Sequence, residues 1–408
     1  MFAAHLVRLF MHLAQAQGVN MQPFVYHQPT EIRFGSGRIE EIGDVVGRFG
    51  KRCLLVTTAD SPLKPLYTRV RSLLEAADIQ VEHFDGVIPN PTTDCVTAGA
   101  TVAKAFGADV VLGLGGGSSM DTAKAIAVEA THPGTAWDYL FFRPTQPTEK
   151  TLPVVAVSTT SGTGSQVTQV AVVTNTAEKT KSAIYNSIIY PRVCIVDPEL
   201  MVSVPSHVTA CTGFDVFCHA FESYIHVGGT PYTDLLALEA IRLAAENLPT
   251  AVADGSSQQA REAMAWADTL AGLCIANAGV TLPHGIGMTI GGQCPQVAHG
   301  EALAVVYPEF TRFTYASAPE KFAAMGRILN PALAGLDDDA AAAQSCEAVD
   351  EFLKRINLWL SLKGLGVSVE DVVAIADNSR VLPDYKNNPR IADRDEIYNI
   401  LMASYERA

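Results

Sequence analysis

Residues 108–130 read ADVVLGLGGGSSMDTAKAIAVEA, and the fold turns on this stretch. ADVVLGLGGG (108–117) is an unbroken apolar run ending in glycines, as in a strand covered on both faces. SSMDTAKAIAVEA then takes helical spacing, so the segment predicts strand, glycine turn and helix in an α/β layer. Glycines at a strand's C-terminal end let backbone approach a pyrophosphate. A helix opening at Ser118 and Ser119 offers free N–H groups and the positive end of its dipole. Every α/β protein needs tight turns, so the loop alone leaves nucleotide binding open. It is not a GxGxxG fingerprint, and it follows the third apparent strand instead of the first. An ordinary Rossmann domain is therefore a poor match.

Upstream, KRCLLVTT (51–58) is strand-like and leads into the amphipathic LYTRVRSLLEAA. VEHFDG is a second short strand, and IPNPTTDCV a loop before the helical VTAGATVAKAFG. Downstream, LPVVAVSTT and RVCIVDP are further buried strands. The first runs into TTSGTGSQVT (159–168), whose hydroxyls and two glycines could line the same cleft; a plain Ser/Thr-rich turn reads equally well. After about Pro205 the β-branched runs fade and long helical patterns follow, from HVTACTGFDVFCHAFESYIH onward. With the proline of SVPSH, this change predicts an extension at 1–22, an α/β domain at 23–204 and a helical domain at 205–408.

The 408 residues are 48% hydrophobic and 18% charged, a globular balance with room for two domains. A formal net charge of -14 argues against nucleic acid and anionic membrane surfaces as partners. Eight cysteines are scattered without a CxxC pair; Cys53 and Cys194 lie in apolar runs, and the set reads as reduced thiols of a cytoplasmic protein. No apolar run is long enough to span a bilayer. The first twenty residues lack acids, but Arg8 and His12 interrupt them. They read as a short leading helix, or as an upstream start with Met21 opening the body.

GFDVFCHAFE sets Asp215 and His219 four apart, on one face of a helix. LPHGIGMTIGGQCPQVAHGEA adds His284 and His299, each followed by glycine. A structural role is the commoner fate of any single histidine. One carboxylate and three imidazoles together suit a divalent first-row metal such as Fe(II) or Zn(II) better than Mg or Ca. His226, Glu222 and His207 lie nearby and read as ordinary polar residues.

These pieces, with IRFGSGRIEEIG, PNPT at 89–92, KTKSAI, VDPEL and NNPR at 387–390, resemble the iron-containing (group III) alcohol dehydrogenases over nearly all the chain after Met21. The resemblance implies a dehydroquinate synthase-like fold: an N-terminal α/β nucleotide domain with a parallel sheet, an all-α C-terminal domain, and a metal in the cleft between them. It implies metal ligation by Asp215, His219, His284 and His299. Contacts to NADP or NAD would come from Asn90, Gly116, Gly117, Ser118, Asp121, Thr159, Thr160, Thr163, Thr168 and Lys181. The expected partner is a small alcohol or aldehyde, in a homodimer or larger homo-oligomer. Within the same fold, a polyol dehydrogenase or another reductase is the alternative, and a non-catalytic nucleotide-binding protein is a third reading.

This sequence departs from the family pattern in several places. Many members carry an acid where Thr58 stands; its loss removes repulsion of a 2′-phosphate and favours NADP, although Asp60 could restore NAD preference. Met288 replaces a histidine proposed to help proton transfer, so the proton would leave through water or a ribose hydroxyl. The interval from His284 to His299 is one residue longer than usual, and Gln166 replaces a glutamate. Phe217, Met288 and Ile290 suggest a pocket for short or medium aliphatic substrates.

Overall fold

The apolar runs become strands because each is covered on both faces. In a computed structural model, which describes residues 23–407, the strands are β1 (Glu31–Phe34), β2 (Arg52–Thr58), β3 (Gln80–Val87), β4 (Val110–Gly115), β5 (Val154–Ser158), β6 (Val170–Asn175), β7 (Thr180–Tyr185) and β8 (Val193–Val196). Between them lie α1 (Ile42–Gly47), α2 (Lys64–Ala76), α3 (Thr93–Phe106) and α4 (Gly117–Glu129). The readings for residues 1–22 fall outside the described residues.

Side chains alternate across a strand, and β2 shows it. Cys53 and Leu55 pack with Tyr67, Val70 and Leu74 of α2. Leu54 and Val56 face the other way, toward Val96 and Ala103 of α3 and Ile126 of α4. Six strands form a sheet in the order β1-β8-β5-β4-β2-β3, all pairings parallel. Strand order reverses between β2 and β4, and such sheets bind ligands in the crevice at that reversal, outside the strands' C-terminal ends. Thr58 ends β2 and Gly115 ends β4, so the glycine turn sits at this crevice.

Two features escaped the sequence. The short edge strand β1 makes β4 the fourth strand of the chain, not the third; its four half-exposed residues carry no buried run. β6 and β7 form a separate antiparallel pair, which hangs Lys181 over the cleft.

From Ser206 onward the described residues are helical: α5 (Ser206–Ile225), α6 (Pro231–Ala253), α7 (Gln258–Asn277), α8 (Leu282–Gln293), α9 (His299–Thr314), α10 (Pro319–Leu329), α11 (Asp338–Arg355), α12 (Val369–Asn378) and α13 (Arg394–Ala403). Helix α5 is buried along nearly its whole length, the polar stripe of Asp215, His219 and Glu222 included, and forms the spine of this half. Phe217 belongs to that spine, packed on Phe214, Phe221, Tyr307 and Phe352, and Ile290 is in the same core. Both are core residues and do not shape a substrate pocket. No single helix among the described residues is long and apolar enough to cross a membrane.

The two halves meet backbone to backbone. Gly164, at φ +62°, lies on α7 so closely that a methyl group there would sit 2.5 Å from Gly272 Cα. A methyl group on Gly272 would sit 2.6 Å from Val167 Cγ2. Gly272→Ala should therefore destabilise the protein by about 1–3 kcal/mol through overpacking, even though alanine is the better helix former. Urea denaturation checks this; a stabilised variant would mean the contact is slack.

Candidate active site

Helix α5 carries Asp215, His219 and Glu222 at i, i+4 and i+7, one stripe of a helix. His219 Nε2 lies 3.5 Å from Asp215 Oδ1. His284 sits in the first turn of α8, with Nε2 3.4 Å from the same oxygen. His299 opens α9 and brings its Nε2 to 3.7 Å. Gly300 permits this approach: a methyl group there would fall 2.2 Å from the Cys211 carbonyl oxygen on α5. The four residues gathered from sequence thus meet around one carboxylate oxygen.

Asp215 Oδ1 and His284 Nε2 are buried without a hydrogen-bond partner among the described residues. Buried polar atoms are almost always satisfied, so two orphans facing each other call for an ion. Four donors about 2.1 Å from one ion at tetrahedral angles lie roughly 3.4 Å apart, close to the three Asp215–imidazole distances; Asp215, His284 and His299 also lie within 4.8 Å of one another, with His219 to one side of that trio. Each imidazole but one is also held from behind. Glu222 Oε1 pairs with His284 Nδ1 at 2.7 Å, and its other oxygen accepts the Thr281 N–H at 2.8 Å. His219 Nδ1 pairs with the Gly162 carbonyl oxygen at 3.2 Å.

Burial pushes the Asp215 carboxyl up, but the facing histidines outweigh it and hold it well below the usual carboxylate range. Burial pushes His219 and His299 below the ordinary imidazole value, against the pull of Asp215, which favours the form whose lone pair can ligate. Burial lowers His284 too, yet Glu222 and Asp215 on its two sides raise it to about 10, so an ion must displace its proton.

The iron-containing alcohol dehydrogenase model matches residues 29–198, and the C-terminal model of the Fe-containing alcohol dehydrogenase family matches residues 209–405. An NAD-dependent methanol dehydrogenase of Bacillus methanolicus is 37% identical over 374 residues, 91% of this chain and 97% of that protein. A 1,3-propanediol dehydrogenase of Klebsiella pneumoniae is 36% identical over 389 residues, 94% of this chain and 99% of that one. A crystal structure of a 1,3-propanediol oxidoreductase superposes with a TM-score of 0.88 at 36% identity, covering 94% of this chain and all of the other. The chain belongs to the iron-containing alcohol dehydrogenase family. It is an oxidoreductase that interconverts an alcohol and its carbonyl compound with a nicotinamide cofactor, as the resemblance implied.

Of the family's cofactor positions, Gly116, Gly117 and Ser118 lie at the start of α4, at the crevice. The second loop lies directly on them: Thr159 N–H donates to the Gly115 carbonyl at 2.9 Å, a methyl group on Gly116 would come within 3.1 Å of Thr160 Oγ1, and one on Gly117 within 2.4 Å of Thr163. Gly117 is thus required by contact with Thr163 as well as by any approach to phosphate. Asn90, at φ 52°, accepts from Lys181 Nζ at 2.9 Å. Burial pushes that ammonium down to about 8, against the pull of Asp121 and Asp215. Asp121 and Thr168 stand behind the loops: Asp121 accepts from Ser165 Oγ and the Val172 N–H, and Thr168 faces the buried Lys124. Thr58 Oγ1 donates to Asp60 Oδ2 at 2.8 Å and lies 2.9 Å from the Tyr67 hydroxyl.

Two residues of the site were missed by sequence reading. Glu222 is no ordinary polar residue; its place in the α5 stripe was the available signal. Asp268 of α7 accepts the N–H groups of Gly162 and Gly164 at 2.9 Å each and the Gln166 side-chain amide at 2.7 Å. It fixes the loop whose Gly162 carbonyl orients His219, and nothing local in the sequence announces it. The amide at Gln166 is what allows a carboxylate opposite, where a glutamate would set acid against acid. Glu222→Gln should weaken metal binding roughly ten- to hundredfold by releasing His284, with the fold retained. Competition against a chelator measures it, and unchanged affinity would contradict the role.

Proposed function

We propose that Asp215, His219, His284 and His299 hold one divalent ion, iron with zinc as the alternative, beside NAD bound across the β2/β4 crevice. The buried Asp215 oxygen, without a hydrogen bond among the described residues and facing three imidazole nitrogens, carries this reading. When bound, such an ion acts as a Lewis acid, lowering the pKa of an alcohol hydroxyl and polarising the carbonyl in the reverse direction. The chain's own residues prepare the ground. Glu222 and the Gly162 carbonyl fix two imidazole rings. Asn90 and Lys181, with the loops at 116–118 and 159–163, would position the cofactor, and Thr58 would lie at its adenosine end. Asp121 and Thr168 would act indirectly, by holding the second loop.

A cavity of about 200 Å³ between β7 and α8 is lined by Lys181, Ser182, Thr289 and Gln293, with Leu382 beside them. None of the four metal-centre residues lines it, so the short alcohol we propose as substrate rests on methanol and 1,3-propanediol as the relatives' substrates. The boundary between the two halves is put at 204/205, between β8 and α5. The eight free cysteines suit a reducing cytoplasm. A homodimer or larger assembly is supported by the outer edge of β1, unpaired among the described residues, and by the exposed Phe24 and Val25 near it in sequence.

Cofactor choice follows from Thr58 and Asp60. The Asp60 carboxylate rests on the Thr58 hydroxyl at the end of β2, which supports an acid beside the adenosine ribose, close to the place a 2′-phosphate would take. NAD is therefore preferred, on the order of ten- to hundredfold. Asp60→Ala should narrow that preference, read as kcat/KM for the two cofactors. Equal use of NADP by the unaltered enzyme would show that Asp60 does not face the ribose. His219→Ala should lose most of its metal and activity while remaining folded; full occupancy by elemental analysis would remove His219 from the ligand set.

A further inference from the structure

Residues 207, 211, 215 and 219 of α5 are His, Cys, Asp and His, each one helical step of four from the next. The latter two belong to the centre described above. The first two face Glu301, two residues beyond His299. His207 Nε2 lies 3.0 Å from Glu301 Oε1, and Cys211 Sγ lies 3.6 Å from His207 Nε2. The three donor atoms fall within 4.8 Å of one another. We infer that His207, Cys211 and Glu301 form a second metal site, separate from the catalytic centre and suited to Zn(II).

The donor set argues for the metal. Burial, with Glu301 and Asp215 nearby, pushes the Cys211 thiol up to about 12, so a metal would displace its proton; the resulting thiolate, imidazole and carboxylate are a borderline-soft trio that zinc takes readily, and three protein ligands leave a fourth position for water. The geometry is prepared rather than accidental. Glu301 is held by its other oxygen, which accepts the Ala298 N–H at 2.9 Å and so directs Oε1 toward His207. Gly300 lets the first turn of α9 lie against the Cys211 backbone, which brings Glu301 within reach of α5. Cys211 is buried and His207 is exposed, so the site is walled by protein on one side and open to solvent on the other.

The midpoints of the 207/211 and 215/219 pairs are eight residues apart. At 1.5 Å per residue that is about 12 Å along α5. Co-catalytic ion pairs sit about 3.5–4 Å apart, so this ion would not share the substrate. Its effect is mechanical: it ties the first turn of α9, and with it His299, to α5.

Cobalt(II) distinguishes the two sites, because only this one offers a thiolate. Titration of the metal-free full chain with Co(II) should saturate at two ions per chain, one of them with near-ultraviolet thiolate-to-cobalt charge-transfer absorption. Cys211→Ser should abolish that band and one equivalent. His207→Ala, at an exposed position that leaves folding intact, should weaken the band's apparent affinity at least tenfold. His284→Ala should retain the band, so failure of the catalytic reading would not disturb this result. Saturation without a thiolate band, a band that survives Cys211→Ser, or a titration unaffected by His207→Ala would each overturn the proposal.

Discussion

The structure is organised around one buried carboxylate. Asp215 lies inside the helical half, and an unpaired charge there would cost several kcal/mol. Its surroundings are the answer to that cost: three imidazole nitrogens within 3.7 Å, drawn from α5, α8 and α9. The placing of those helices follows from it. α8 is tied to α5 through Glu222, which bonds both His284 and the backbone entering the helix. α9 is brought in by a glycine, because only Gly300 allows its first turn to touch the α5 backbone.

The same economy joins the two halves. The loop at 159–168 belongs by sequence to the sheet, yet its N–H groups are satisfied by Asp268 of the helical half and its glycine lies on the α7 backbone. One face of the loop touches the glycines of the crevice, and Gly162 on the other side accepts from His219. The β2/β4 crevice and the Asp215 cluster thus share a wall one loop thick. Lys181 adds an electrostatic link, since it bonds Asn90 of the crevice while its charge faces Asp215.

Much of this was legible from local pattern. The apolar run before Gly115 had to be a strand covered on both faces, and the 215/219 pair had to share a helix face; both depend on spacings of a few residues. Glu222 was equally legible, three positions beyond His219, but an acid beside a histidine carries no mark of its role until His284 arrives opposite. Thr58 and Asp60 were visible as a pair of candidates. The hydrogen bond between them, which places the acid, was not.

The sequence by itself determined the strand–turn–helix units, the helical second half and the identity of the four candidate ligands, because periodicity and residue chemistry are local properties. Only the tertiary structure decided that Asp268 serves a loop more than a hundred residues earlier, that Phe217 and Ile290 belong to the core, and that His207 and Cys211 meet Glu301. Those pairings depend on how closely backbones pack, which is set at Gly164, Gly272 and Gly300 by the absence of a side chain. A glycine in a sequence shows that close approach is permitted; only the folded chain shows what approaches.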